Sequence, residues 1–306
     1  MTDEYDPVST PVALTVAGSD SGGGAGIQAD LKAMTVHDVF GTSVVTATTA
    51  QNTEAVHDVN PLPADHVAAQ FDAVLDDFAV EAVKTGMLAT AGIVETVTDA
   101  LADFDGRSVV DPVMVAATGD RLLPPEAEAA YDDLIAEATL VTPNADEAEV
   151  LTDREVDTPD DAAAAGRELV DLGADAALVK GGHLSGETVV DTLVLSEALA
   201  ERKADADDAD DADDADDAAE TPDAADNPDT AEVARFEGPR VDTVATHGAG
   251  CTLSSAIAAR LARGEPLRGA VAAATRGMTD ALRRGYDVGE GPGAVNPTQL
   301  AADESR

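Results

Sequence analysis

Short runs of aliphatic and β-branched residues alternate with amphipathic stretches along most of the chain. The runs at 12–17, 43–47, 55–59, 81–84, 108–110, 138–141, 176–179, 189–195 and 233–236 predict strands. Helical periodicity at 26–36, 64–77, 90–102, 162–172, 252–262 and 267–284 predicts the intervening helices. The 55–59 run alternates apolar and polar positions, whereas 12–17 is almost continuously apolar, as a strand covered on both faces must be. This alternation predicts an α/β fold: a mostly parallel central sheet with helices on both faces, in three α/β/α layers.

The interval 204–231 breaks the pattern. It repeats Ala-Asp-Asp and has no branched apolar residue, so it cannot bury enough surface to offset the entropy of ordering. It lies between the 189–195 and 233–236 runs and is expected to be a disordered acidic insert in a hairpin. Each doubling of loop length costs only about 0.6 kcal/mol, so the fold tolerates it. Residues 1–11 and 294–306 are expected to be flexible ends, and no linker or repeat divides the rest, which predicts a single domain.

Composition narrows the class. Of 306 residues, 44% are hydrophobic but only 3% aromatic, with no Trp, so the core must be built from Val, Leu, Ala and Ile. No apolar run approaches the roughly 20 residues needed to cross a bilayer. The polar, acidic start is unlike a secretory signal. A single cysteine permits neither an intramolecular disulfide nor a cysteine-based metal site. These features predict a cytoplasmic protein with no membrane partner. The formal net charge is −43, from 61 acidic and 18 basic residues. The thirteen acidic residues between Asp205 and Asp229 leave 48 elsewhere, so the folded part is itself strongly acidic. Salt screens such self-repulsion, which points to a salt-adapted cytoplasm. A nucleic-acid partner is excluded, since it would need clustered Lys and Arg.

Five polar motifs fall just beyond predicted strands: Gly18-Ser19-Asp20, Lys84-Thr85-Gly86-Met87, Asp111-Pro112-Val113, Thr142-Pro143-Asn144 and Lys180-Gly181-Gly182-His183. In doubly wound sheets ligands bind outside that edge. The segment Thr246-His247-Gly248-Ala249-Gly250-Cys251 opens a helix. Its first turn exposes backbone N–H groups with little side chain to block them, a ready anion site. The helix dipole there favours a thiolate at Cys251, although a small cysteine also serves as core filler. The Gly18–Gly26 cluster fits neither the dinucleotide fingerprint nor a P-loop. It is either a turn letting a helix pack on the sheet or a place where backbone approaches a small substrate. Asp111 and Glu147 are candidates to hold Mg²⁺ through water beside phosphates. Glu147 has a second reading as a helix N-terminal charge, with Asn144 three residues before it on the same face. The five His residues show no ligand spacing.

Together these motifs resemble the hydroxymethylpyrimidine/phosphomethylpyrimidine kinases of thiamine biosynthesis, within the ribokinase-like superfamily. The resemblance rests on Ala17 to Asp30, Thr49-Ala50-Gln51-Asn52-Thr53, Lys84 to Leu88, Asp111 to Met114, Thr142 to Asn144, Lys180 to His183 and Thr246 to Ser254. Cys251, where most of the wider superfamily carries Asp, together with Gln51, matches the pyrimidine-kinase branch. The resemblance implies two phosphoryl transfers from ATP, with Mg²⁺: first to 4-amino-5-hydroxymethyl-2-methylpyrimidine, then to its monophosphate. It implies that N–H groups of Gly248, Ala249, Gly250 and Cys251 hold the charge of the transferred group. It assigns the hydroxyl proton to Cys251, the ATP phosphates to Lys180, Asn144 and Thr246, and the metal to Asp111 and Glu147. Gln51, Gly18, Met87 and Val113 take the pyrimidine ring. A homodimer is expected, with no fused thiamine-phosphate synthase domain. The rival readings are a pyridoxal kinase, a non-catalytic pyrimidine sensor and, least well matched, a nicotinamide oxidoreductase.

Overall fold

The computed structural model describes residues 7–114, 125–200 and 232–300. The strands are β1 (Val12–Ser19), β2 (Phe40–Gln51), β3 (Val56–Pro61), β4 (Val80–Thr85), β5 (Arg107–Val110), β6 (Leu140–Val141), β7 (Ala176–Val179), β8 (Thr188–Leu195) and β9 (Glu232–Pro239). The helices are α1 (Gly26–Val36), α2 (Ala64–Leu75), α3 (Ala91–Ala102), α4 (Tyr131–Ala136), α5 (Ala145–Thr152), α6 (Pro159–Asp171), α7 (Ala249–Ala262) and α8 (Leu267–Arg283). One nine-stranded sheet runs in the order β3-β2-β1-β4-β5-β6-β7-β8-β9. The pairings from β2 through β7 are parallel, while β3, β8 and β9 join antiparallel at the two edges. This is the mostly parallel α/β architecture that the alternation predicted, and its ribokinase-like arrangement is the one the resemblance implied.

Successive residues of the central strands serve opposite faces, since side chains alternate across a strand. Leu14, Val83 and Val110 pack with Phe71 of α2, Ile93 and Val97 of α3 and Tyr131 of α4. Their neighbours Ala13, Ala82 and Val109 face the other layer, built by α1, α7 and α8. Three helices, α3, α5 and α6, start where a side chain supplies an acceptor. Thr158 and Asp161 form a capping box on α6 with Pro159 in its first turn, and Thr90 caps α3.

Of the boundaries that differ from those predicted, three bear on the cleft or the core. β2 runs far beyond 43–47 because its second half pairs with β3, from Ala47 opposite Pro61 to Gln51 opposite Val56. α7 begins at Ala249 rather than 252, because Gly248 takes φ +80° and lets the next three residues form the first turn. Residues 294–300 are not a flexible tail. Ala294 bridges to His247 and Tyr286, and Val295 and Leu300 are buried in the α7–α8 core. Residues 7–11 are irregular and largely exposed. Of the remaining expected flexible segments, 1–6, 204–231 and 301–306 lie outside the described residues, although β8 and β9, on either side of the insert, pair as a hairpin.

The buried position of Leu300 yields a stability prediction. Leu300→Ala should lower unfolding stability by about 2–5 kcal/mol, the usual cost of truncating a core leucine. Urea unfolding checks this, and an unchanged midpoint would return the segment to the flexible end expected from its sequence.

Candidate active site

The strand order reverses at β1, which lies between β2 and β4, so chain connections diverge there and leave a crevice at the carboxyl ends. A cleft of about 1370 Å³ occupies that edge. It is lined by Gly18, Gln51, Met87, Asp111, Val113, Asn144, Glu147, Lys180, Thr246, Gly248, Ala249, Gly250 and Cys251. Every site residue expected from the sequence is therefore brought to one place.

Asp111 leaves β5 almost fully buried and receives the Lys180 ammonium at 2.8 Å. Thr142 and Ser254 hydroxyls donate to the same carboxylate, each at 3.2 Å. Burial alone would raise this carboxyl, but Lys180 and Lys84 outweigh it and hold it below the ordinary range. Lys180 is raised despite its own burial, chiefly by Asp111 and then Glu147. Glu147 lies 3.9 Å from Lys180 and forms a capping box with Asn144 at the start of α5. Burial pushes Glu147 up to about 7, with Asp111 adding to the effect and Lys180 opposing it. The helix-terminus reading of Glu147 holds, and this cap also faces the charged centre.

Two carboxylates do not enclose a cation. Among the described residues no group of three or more His, Cys, Asp or Glu side chains is arranged to hold a metal. That fits Mg²⁺, which keeps several waters and takes one or two carboxylates together with substrate phosphates. Asp111 and Glu147 would hold it, with Asn144 beside them.

The start of α7 faces this pair. A Cβ on Gly250 would lie 3.3 Å from Lys180 Nζ and 3.9 Å from Asp111 Oδ2, so the first turn sits against the ammonium. Gly248 must be glycine on two counts: its φ of +80°, and a Cβ that would meet Gly24 O at 1.9 Å. No side chain caps the helix. The expected set of donors needs one correction. Ala249 N–H already donates to Thr246 O at 3.1 Å, so the donors left from the expected set are those of Gly248, Gly250 and Cys251. Cys251 needs a second. The dipole alone favours the thiolate, but burial pushes the thiol up to about 11, against the pull of Lys84 and the Gly26 N–H.

At the other end of the cleft a Cβ on Gly18 would strike Met87 Cε at 2.4 Å, so this stretch of β1 presents bare backbone beside the thioether. Thr46 Oγ1 donates to Met87 O at 2.6 Å and fixes that loop. Gln51 ends β2, its main chain bracketed by Ser21 Oγ, while its side-chain oxygen accepts from Thr49 at 3.3 Å. Its amide N–H groups are left for a ring acceptor.

Several cleft residues were not singled out from sequence. Asp20 is buried and accepts from Gly22, Gly24 and Ala25 N–H at 2.7–2.9 Å and from His247 at 3.0 Å. Burial opposes its ionisation, but the His247 bond and these N–H donors outweigh it and hold the carboxyl low. This pair ties the Gly22–Ala25 loop to the turn before α7. Asp20 and His247 stood inside the quoted motifs, yet nothing local links positions 227 apart. Arg235, Arg240, Arg276 and Arg283 also line the cleft. In a chain with 18 basic residues against 61 acidic ones, four arginines and Lys180 gather around one opening, where seven acidic side chains also lie. Arg240 additionally donates to the carbonyls of Gly182, Leu184 and Gly186, pinning the loop after Lys180.

A ribokinase-like sheet with a lysine–aspartate pair facing an unblocked helix start defines a phosphotransferase of the vitamin-kinase type. The chain belongs to the phosphomethylpyrimidine kinase family, which it matches over residues 20–211 and 217–296. It is 42% identical to the hydroxymethylpyrimidine/phosphomethylpyrimidine kinase of Streptomyces coelicolor, covering 97% of both chains. It is also 42% identical to the thiamine biosynthesis bifunctional protein ThiED of Geobacter sulfurreducens, covering 96% of this chain and 53% of that protein. Among solved structures it resembles an ADP complex of Bacillus subtilis pyridoxal kinase, with a TM-score of 0.77 and 33% identity over 96% of this chain and all of that one.

The raised Glu147 carboxyl makes a signed prediction. Between pH 4.5 and about 7 the folded state binds this proton while the unfolded chain releases it. Its contribution to stability is therefore full below that window, lost across it and level above. Glu147→Gln should remove the slope, so the variant gains on the wild type as pH rises to 7. Denaturant unfolding of both proteins at several pH values checks this, and a constant difference contradicts it.

Proposed function

We propose that this protein transfers a phosphoryl group from ATP to the hydroxymethyl oxygen of 4-amino-5-hydroxymethyl-2-methylpyrimidine, and then a second to the monophosphate. The product is the pyrophosphate used in thiamine biosynthesis. The observation that carries this reading is the meeting of a ring-sized subsite (Gly18, Gln51, Met87, Val113) and a phosphoryl centre (Asp111, Lys180, α7) in one cleft.

The chemistry follows from placement. Gln51 pairs with a ring nitrogen and the 4-amino group, and Met87 and Val113 pack on the ring. Lys180, with Asn144 and Thr246, takes the ATP phosphates. N–H groups of Gly250 and Cys251 face the charge spread over the oxygens of the transferred group, where preorganised donors act without reorganising. The hydroxymethyl oxygen bonds to the γ-phosphorus, the bond to ADP breaks, and the hydroxyl proton passes to Cys251 Sγ. A Mg²⁺ held by Asp111 and Glu147 supplies neutralising charge and orients the phosphates when bound. The second acceptor is a phosphate anion with no such proton to lose.

A second reading, phosphorylation of pyridoxal, is favoured by the likeness to a solved pyridoxal kinase. Both substrates are methylated six-membered N-heterocycles with a hydroxymethyl group. The acidic surface leads us to propose that the protein works in high salt, and we further propose a cytoplasmic homodimer. Among the described residues no helix is long and apolar enough to cross a membrane.

The test is a salt-supplemented assay of the purified protein with the pyrimidine alcohol, its monophosphate and pyridoxal, following each product. Formation of both pyrimidine phosphates is expected. Turnover of pyridoxal alone would replace this reading with the second. In the same assay Cys251→Ala should slow the first transfer by about 10²-fold or more, the usual worth of a positioned base, and the second far less. For the wild type, kcat/KM of the first transfer should climb with pH towards the thiol's titration near 11, a limb that the second lacks. Equal losses in both steps would remove Cys251 as the proton acceptor.

A further inference from the structure

Beneath the anion site lies a charged pair that takes no part in the chemistry derived above. Lys84, on β4, and Asp30, on α1, are both fully buried, with Nζ 3.0 and 3.1 Å from the two carboxylate oxygens. Ser255 of α7 donates to Asp30 at 2.7 Å and Thr15 of β1 at 2.6 Å, so sheet and both helices converge on one carboxylate.

The spacing along the two helices is informative. Gly26 N–H on α1 faces the sulfur of Cys251 on α7 closely enough to favour its thiolate. Asp30 stands four residues after Gly26, and Ser255 four residues after Cys251. Residues four apart share a helix face, so the Gly26–Cys251 and Asp30–Ser255 contacts are two rungs of one ladder, and Lys84 closes the lower rung from the sheet side. The ammonium is also crowded from above, since a Cβ on Gly86 would lie 3.0 Å from Nζ. A buried ion pair is weak evidence of a stabilising purpose, since apolar residues of similar volume often serve as well or better. Its position points elsewhere.

We infer that Lys84 is a positioning residue for the first transfer: clamped by Asp30 one helical turn from Cys251, it holds a fixed positive charge under the sulfur that receives the hydroxyl proton. The charged groups that bear on this sulfur are Lys84 from β4, Asp30 from α1, Asp111 beyond β5 and Lys180 beyond β7. Lys84 opposes the burial of the thiolate more than any other of them, while Asp30 and Asp111 work against it. Asp30 keeps the ammonium charged and in place; the net field at the sulfur is the difference between the two. The inference rests on Cys251 being the proton acceptor, and its test separates the two claims.

Cys251 is the only cysteine of the chain, so alkylation by iodoacetamide reports on it alone. Removing either member alone strands a buried charge, so the comparison is between the wild type and the double variant Asp30→Asn/Lys84→Met, which takes out both charges together. The amide that replaces the Asp30 carboxylate keeps a hydrogen-bonding partner for both hydroxyls, accepting from one and donating to the other, while the buried charges are gone. The expected result is alkylation at pH 8 about fivefold to tenfold slower in the double variant, since one unit of thiol pKa is a tenfold change in thiolate. The first-transfer kcat should fall by a similar factor, with the pyrimidine KM and the second transfer changed by less than about twofold. Equal alkylation rates would overturn the inference while leaving Cys251→Ala to judge the proton acceptor on its own. Slower alkylation with an undiminished first transfer would overturn it too, as would equal losses in both transfers.

Discussion

The ion pair between Lys180 and Asp111, 2.8 Å long and set against the first turn of α7, is the constraint around which the cleft is organised. A chain of net charge −43 must attract a polyphosphate, and its general field does the opposite. Two unit charges 4 Å apart interact by about 4 kcal/mol near a protein surface, against about 1 kcal/mol in bulk water. A few cations held where water is scarce can therefore outweigh many distant, salt-screened carboxylates. The lysine is kept charged by Asp111 and Glu147, and it offsets the repulsion between those two acids. Arg235, Arg240, Arg276 and Arg283 bring further cations to the opening, beside its acidic side chains.

Much of the fold was legible because it depends on local pattern. All nine strands were visible as apolar runs, and 176–179 coincides with β7. What escaped depends on partners distant in the chain. The second half of β2 reads Thr-Ala-Thr-Thr-Ala-Gln, too polar to announce a strand, and is one because β3 folds back on it. Val295 and Leu300 sit in a short, glycine-flanked end whose burial comes only from α1, α7 and α8. The short helices α4 and α5 lack the length for a periodic signal, although the Asn144–Glu147 spacing betrays the start of α5.

The site divides in the same way. Residues in motifs just beyond strand ends were located correctly, because the carboxyl edge of a doubly wound sheet is set by topology. Their protonation was not legible. From sequence Cys251 has a helix dipole and nothing against it, whereas the fold adds desolvation, which wins. Glu147 moves in the same sense, for the same reason. The Asp20–His247 contact joins the first loop to the last one that matters here and has no local signature. Asp20 also gathers three N–H groups of the glycine-rich turn, which answers one question the sequence left open. That turn is more than a packing device for α1, since it is shaped around a carboxylate and forms one wall of the cleft.

A thiol raised to about 11 looks at first unsuited to take a proton near neutrality. The thermodynamics of proton transfer reverses that impression. The thiolate fraction of an unperturbed cysteine is larger, but each thiolate is a weaker base, and Brønsted behaviour trades one against the other. Desolvation by the same walls that shield the phosphates makes the rare thiolate more basic. As phosphorus draws electrons from the attacking oxygen, the hydroxyl proton becomes more acidic and passes to whatever fraction of the sulfur is thiolate, which then becomes the thiol. What the site must provide is a cation that limits how far burial disfavours the anion. A cleft designed only to bind could dispense with that compensation. A buried ammonium beneath the sulfur and a second above the helix start are what a cleft requires when a proton and a phosphoryl group must move within a few ångströms of each other.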